Sequence, residues 1–409
     1  MQSDHNTSKL LYLNGLRGIA ALIVVSTHLV TTFYPAVYYG DFSRAHNSWE
    51  SIVAFKFPFT LIYAGNFSVC IFFVLSGYVL TYSYQSRSNK PNILALFIRR
   101  YIRLTIPILF TSFIAYLFLK NNLFYHQKII GVSGAKELSE IYAFQPGIYS
   151  MFKEALLTLY TSDSNKYNVV LWTMKVELIG SYMVYIVLRI FSKIKLRILI
   201  CLLLTFIVPN YYFCFVFGVL LYDFNEAYGS IVKFKGSLHK ICNIGLMVCA
   251  MFLAAAPFCY LPLPINLMPL PEAYKIFYLI LLRFSDVPVV VAHEWGAIIT
   301  IVLLQNSPIL QSFLSGKLFQ FLGKISFPMY LLHKIIILSF MSYVFNLFVL
   351  SKYEYSYDFV FMVSAVLSLL LIIVVSYFIE YFVDQPGIKI SKYAEDKVRS
   401  LQKALLELR

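Results

Sequence analysis

Residues 11–32 read LYLNGLRGIAALIVVSTHLVTT. Apart from Asn14, Arg17 and His28, the stretch is apolar or carries only hydroxyls. Its length matches the roughly 20 residues an α-helix needs to cross about 30 Å of hydrocarbon. Arg17 and His28 interrupt it, and no clear small-residue cleavage site follows. It therefore reads as a retained first span and not as a leader. The same pattern recurs near 58–84, 97–119, 170–190, 196–209, 210–223, 241–260, 289–306, 325–350 and 357–383. The fifth and sixth of these ten are short and meet at Pro209-Asn210, which predicts a broken hairpin. The eighth is weakened by His293 and Glu294 near its start. The expected fold class is all-α, a polytopic transmembrane helix bundle of about ten spans.

Composition agrees. Of 409 residues, 59% are hydrophobic and 13% charged, against about 45–50% and about 25% in soluble domains. This excludes a disordered chain, a secreted disulfide scaffold and a typical cytosolic enzyme. The net charge of +14 points to nucleic acid or to an anionic membrane surface, and its distribution decides. With the N-terminus inside, about two-thirds of the Lys and Arg residues flank spans on the cytoplasmic side, as the positive-inside rule requires. Both termini are then cytoplasmic, and the longest polar loop, 120–169, faces out. No basic stripe remains for nucleic acid. Residues 1–387 form the transmembrane domain. Residues 388–409 form a cytoplasmic amphipathic tail, with Val398, Leu401, Leu405 and Leu408 at helical spacing.

Six cysteines (Cys70, Cys201, Cys214, Cys242, Cys249 and Cys259) include no CxxC pair and read as small hydrophobes. The histidines, His5 and His46 among them, show no i, i+3 or i, i+4 spacing, so no metal site is expected.

Ionisable groups inside spans are costly and mark function. Arg17 and His28 are eleven residues apart. They share one helix face and lie about 16 Å apart along its axis. Arg17 is nearer the cytoplasmic entrance, and His28 lies deeper. Arg100 and Arg103 share a face at the cytoplasmic start of span three, where arginine forks would suit phosphate oxygens. Glu177 in span four needs a partner, either an arginine or a histidine. His333 and Lys334 sit in span nine and Glu380 near the end of span ten. Ser76-Gly77 is a small pair that allows close helix approach. No nucleophile elbow surrounds Ser76.

Six segments in order then become familiar. They are Leu13 to Ala21 with His28, Phe72 to Tyr78, Arg100-Tyr101-Ile102-Arg103, Leu171-Trp172-Thr173 with Glu177, Gly323 to Phe327 with Tyr330-Leu331-Leu332-His333, and Glu380. Together they resemble the acyltransferase-3 family of integral membrane acyltransferases, in its stand-alone transmembrane form. Asn14 stands where that family more often has Asp.

The resemblance implies an O-acyltransferase, most often moving acetyl from acetyl-CoA to a hydroxyl of a cell-surface or lipid-linked glycan such as O-antigen. Membrane lipids surround it, and a bacterial inner membrane is the expected location. Arg17, Arg100 and Arg103 would hold the acyl-CoA phosphates. His28 would be the general base, Glu177 would orient it or pair an arginine, and His333 would relay or touch the acceptor. The rival expectation is a transporter or flippase that moves a glycan or solute without chemistry.

Overall fold

The computed structural model describes residues 11–87, 92–162, 164–229, 236–258, 264–265, 268–283, 285–351 and 354–407. His5, Cys259 and Leu408, named above, lie outside them. Among the described residues the fold is helical, without strands.

Eight helical stretches are long and apolar enough to cross a membrane. They are built on α1 (Leu11–Phe33), α2 (Gly65–Gln85), α3 (Ile93–Lys120), α4 (Trp172–Ile190), α7 (Gly236–Ala254), α8 (Pro288–Asn306), α9 (Lys317–Ile336) and α10 (Tyr357–Ile379). The expected hairpin between Arg189 and Lys233 is α5 (Ile194–Leu204) and α6 (Tyr212–Tyr228), joined through a turn at 205–211. α5 covers about 16 Å, half the hydrocarbon thickness, and the 17 residues of α6 sit at the lower limit for a span. Among the described residues eight stretches reach full length, against the ten spans expected, and α5 and α6 are shorter.

Arg197 differs from its sequence reading as a solvated flank charge. It is 1% exposed and pairs Asp223 through Nε at 2.6 Å and Nη2 at 2.5 Å, so a buried ion pair fastens α5 to α6. The polar start of α8 is likewise absorbed. His293 lies between the Asn66 amide at 2.9 Å and the Ala256 carbonyl at 2.9 Å, and Glu294 accepts the backbone N–H of Tyr211 at 2.5 Å.

Glycines bring the central helices together. A Cβ on Gly77 would stand 2.2 Å from the Phe215 carbonyl oxygen, and one on Gly218 would stand 2.3 Å from that of Val74, so α2 and α6 touch backbone to backbone. At the α1–α9 crossing a Gly323 Cβ would meet the Asn14 carbonyl oxygen at 2.2 Å. Asn14 itself donates to Gln320 at 3.2 Å. It is part of this crossing, about 21 Å along α1 from His28.

Among the described residues three π-turns break helical regularity, one of them at Glu154–Thr158 before α4. Ile337–Met341 follows α9 and leads into Ser342–Val349; Glu380–Asp384 links α10 to α11 (Gln385–Glu407). The amphipathic tail is thus the continuation of the last span. It packs along α3, where Glu395 accepts hydrogen bonds from Arg87 at 2.5 Å and Arg99 at 2.7 Å and also binds Arg399.

Candidate active site

Two cavities lie along the shared faces of α1 and α9. α1 gives Arg17 to one and His28 to the other; α9 gives Phe327 and Tyr330 to the first and Lys334 to the second. The helical period produces this division, because residues 327, 330 and 334 follow one face of α9.

The cavity at the Arg17 end has a volume of about 230 Å³, and α2, α3 and α4 complete its wall. Phe72, Leu75, Val79 and Leu104 make most of it apolar. Its polar groups converge. Arg100 binds Glu177 and donates from Nε to Ser181 at 2.8 Å, while Ser76 donates to Glu177 at 2.6 Å. Arg103 makes a two-pronged pair with Asp384, one prong at 2.9 Å, and its guanidinium lies 5.4 Å from the Phe327 ring centre. Arg17 is set among Glu177, Arg100, Arg103 and Asp384, yet forms no ion pair among the described residues. The three expected arginines therefore meet. Glu177 takes the arginine and not the histidine as partner, because it faces this cavity while His28 lines the other.

The cavity at the His28 end is about 660 Å³ and is bordered by Thr27, His28, Thr31, Tyr38, Tyr39 and Lys334. Asp41 and Glu137 also line it, each held by Arg44, at 2.9 and 2.8 Å.

Between the cavities stands a layer built by Tyr330, His333 and the turn 168–171. Tyr330 shares a hydrogen bond with Thr173 at 2.8 Å and donates to the Val170 carbonyl at 2.8 Å. Asn168, fully buried, donates to the Leu331 carbonyl at 2.7 Å. The His28 and His333 ring centres are 5.0 Å apart, and Tyr330 is 5.9 Å from His333. His333 contacts the Met329 carbonyl through Nδ1 at 3.2 Å, and its buried Nε2 has no partner among the described residues. The Nδ1 contact needs a proton there, so neutral His333 presents a lone pair at Nε2.

A family description, Acyltransferase domain (Acyl_transf_3), matches residues 10–381. The chain belongs to the acyltransferase-3 family. It is a membrane acyltransferase by family, and its apolar helices make it a multi-pass protein. It is similar to an O-acetyltransferase PaAT-1 of Phomopsis amygdali, 26% identical across 80% of this chain and 72% of that one. It is also similar to an acyltransferase clz18 of Cochliobolus lunatus, 22% identical across 80% of this chain and 83% of that one. No solved structure matches it.

Within this acyltransferase, Glu380 stays at the edge of the site, between Lys324 at 3.2 Å and Gln385 at 2.6 Å. Sequence reasoning passed over Asp384 and Asn168. Asp384 is one helical turn beyond Glu380, and that spacing was the available signal.

Proposed function

We propose that the chain transfers an acyl group, acetyl above all, from cytoplasmic acyl-CoA to a hydroxyl of a cell-surface or lipid-linked glycan, in a bacterial inner membrane. The observation that carries this reading is the pair of cavities on either side of the layer that contains His333, with His28 lining one of them. One is narrow and cationic; the other is wider and polar. A thin arm with phosphates at its base suits the first, whose volume is below the roughly 300 Å³ at which whole drug-sized ligands begin to fit, and the arm's thioester end would reach past the layer to His28. Arg17 with Arg100 and Arg103 would meet the phosphates. Tyrosines, threonine hydroxyls and paired carboxylates suit a sugar in the second. The name of the O-acetyltransferase relative supports acetyl as the group moved.

In this reading His28 removes the acceptor hydroxyl proton as the oxygen attacks the thioester carbon. It then returns the proton to the departing thiolate. Purified enzyme given labelled acetyl-CoA and an accepted glycan tests it. Label should become covalently bound to the glycan, and His28→Ala should lower turnover by about 10² or more. Turnover near that of the wild type would sink the base assignment. Solute movement without label incorporation would favour the transporter.

A further inference from the structure

Transfer from a thioester to a hydroxyl places negative charge on the thioester carbonyl oxygen. That charge needs a donor close to the base. The arginines do not meet the need. Arg17 lies about 16 Å down α1 from His28. Arg100 and Arg103 are bound to Glu177 and Asp384 in the other cavity. Nor does neutral His333, whose Nε2 carries a lone pair when Nδ1 serves the Met329 carbonyl.

Lys334 does. It is 3% exposed, lines the cavity that holds His28, and follows on α9 directly after His333, whose ring centre is 5.0 Å from that of His28. Nζ donates to Thr32 Oγ1 at 3.2 Å. Thr32 is one turn beyond His28 on the same face of α1, about 6 Å along the axis. That hydrogen bond ties the Lys334 side chain to α1 one turn beyond His28, while both residues line the same cavity. An ammonium has three N–H donors; among the described residues Thr32 takes one, and no carboxylate forms an ion pair with Lys334. The nearest acids on the cavity wall, Asp41 and Glu137, are held by Arg44.

We propose that Lys334 is the electrophile of the transfer, binding the carbonyl oxygen of the thioester as it becomes an oxyanion. The inference rests on the acyl-transfer reading above. The acceptor oxygen forms its bond to the carbonyl carbon while His28 takes its proton, and the C=O pair moves onto the oxygen beside Lys334. That pair then re-forms C=O, the C–S bond breaks, and the thiolate leaves with the proton from His28.

The test compares Lys334→Met, Lys334→Arg and Thr32→Val with wild type, using labelled acetyl-CoA and an accepted neutral glycan. Thermal unfolding and acetyl-CoA binding are recorded alongside. Lys334→Met should lower kcat by about 10² or more with both KM values within about twofold of wild type. Lys334→Arg should restore part of the loss. Thr32→Val, which only releases the ammonium, should cost about tenfold in kcat. An unchanged kcat in Lys334→Met overturns the proposal, as does a loss confined to acceptor KM, which would make Lys334 a binding contact. If Lys334→Met does not fold, an unchanged kcat in Thr32→Val overturns it. A wild-type protein that transfers no label overturns the enzyme reading itself, a result distinct from all of these.

Discussion

Arg103 shows what a single side chain contributes to the donor cavity. Asp384 holds its fork in place and Phe327 backs its plane, so the guanidinium is oriented before any ligand arrives. Charge-assisted hydrogen bonds to such a fork contribute about 1.5–3 kcal/mol. Arg103→Ala should therefore raise the KM for acyl-CoA by about tenfold or more and leave acceptor KM unchanged; an unaltered donor KM would count against the phosphate role. On the other side, His46 ties the loop after α1 together. Its ring stacks 3.7 Å from Tyr357, Nε2 contacts the Val132 carbonyl at 2.9 Å, and Nδ1 faces Glu50 at 3.3 Å. Burial pulls the imidazole's pKa down, but the hydrogen bonds to Glu50 and Val132 outweigh it and leave the pKa raised. The folded state thus favours protonated His46. Its stabilisation is complete below the usual histidine pKa and is lost as pH rises through the raised value. Hydrogen exchange across residues 42–53, corrected for intrinsic rate, should lose protection over that window, and His46→Asn should remove the pH dependence.

Helix crossings decide how the side chains meet. Gly77 and Gly218 let α2 and α6 approach backbone to backbone, while at the adjacent position of α2 Ser76 reaches Glu177 of α4. Gly77→Val would press a side chain on the Phe215 carbonyl, for which overpacking costs of about 1–3 kcal/mol are typical. A clear drop in the unfolding temperature in detergent is expected, with Ser76→Ala much milder. These helices were legible from their apolar length, and the Ser76-Gly77 crossing from its small residues. The π-turns were not, since nothing in the composition of 337–341 or 380–384 distinguishes them from ordinary helix. Nor were the partners of Arg197 and Arg103. A charge near a span end looks the same in sequence whether it is solvated or clasped by a distant carboxylate. Arg17 and Glu177 stood out because intramembrane charge is rare, and the structure places them in one cavity with Arg100 and Arg103. Lys334 stood out for the same reason, but its place in the cavity of His28 and its bond to Thr32 depended on the packing of α9 on α1.

For the whole molecule, the positive-inside distribution makes a testable statement about orientation. In a background without native cysteines, a cysteine at exposed Lys136 should react with an impermeant maleimide in intact cells. One at exposed Ser400 should react only after lysis. The opposite pattern would invert the donor and acceptor sides. The run from Tyr357 to Glu407 has a mechanical meaning as well. At about 1.5 Å per residue it is a helical run of about 75 Å along its contour, interrupted by the π-turn at Glu380–Asp384 and far longer than the hydrocarbon is thick. Near its middle is Asp384, the grip on Arg103. About 16 Å further is Glu395, fastened by three arginines. A force on the helix beyond Glu395 therefore acts through two anchors, and the inner one, Asp384 on Arg103, borders the chamber in which the donor's phosphates would lie.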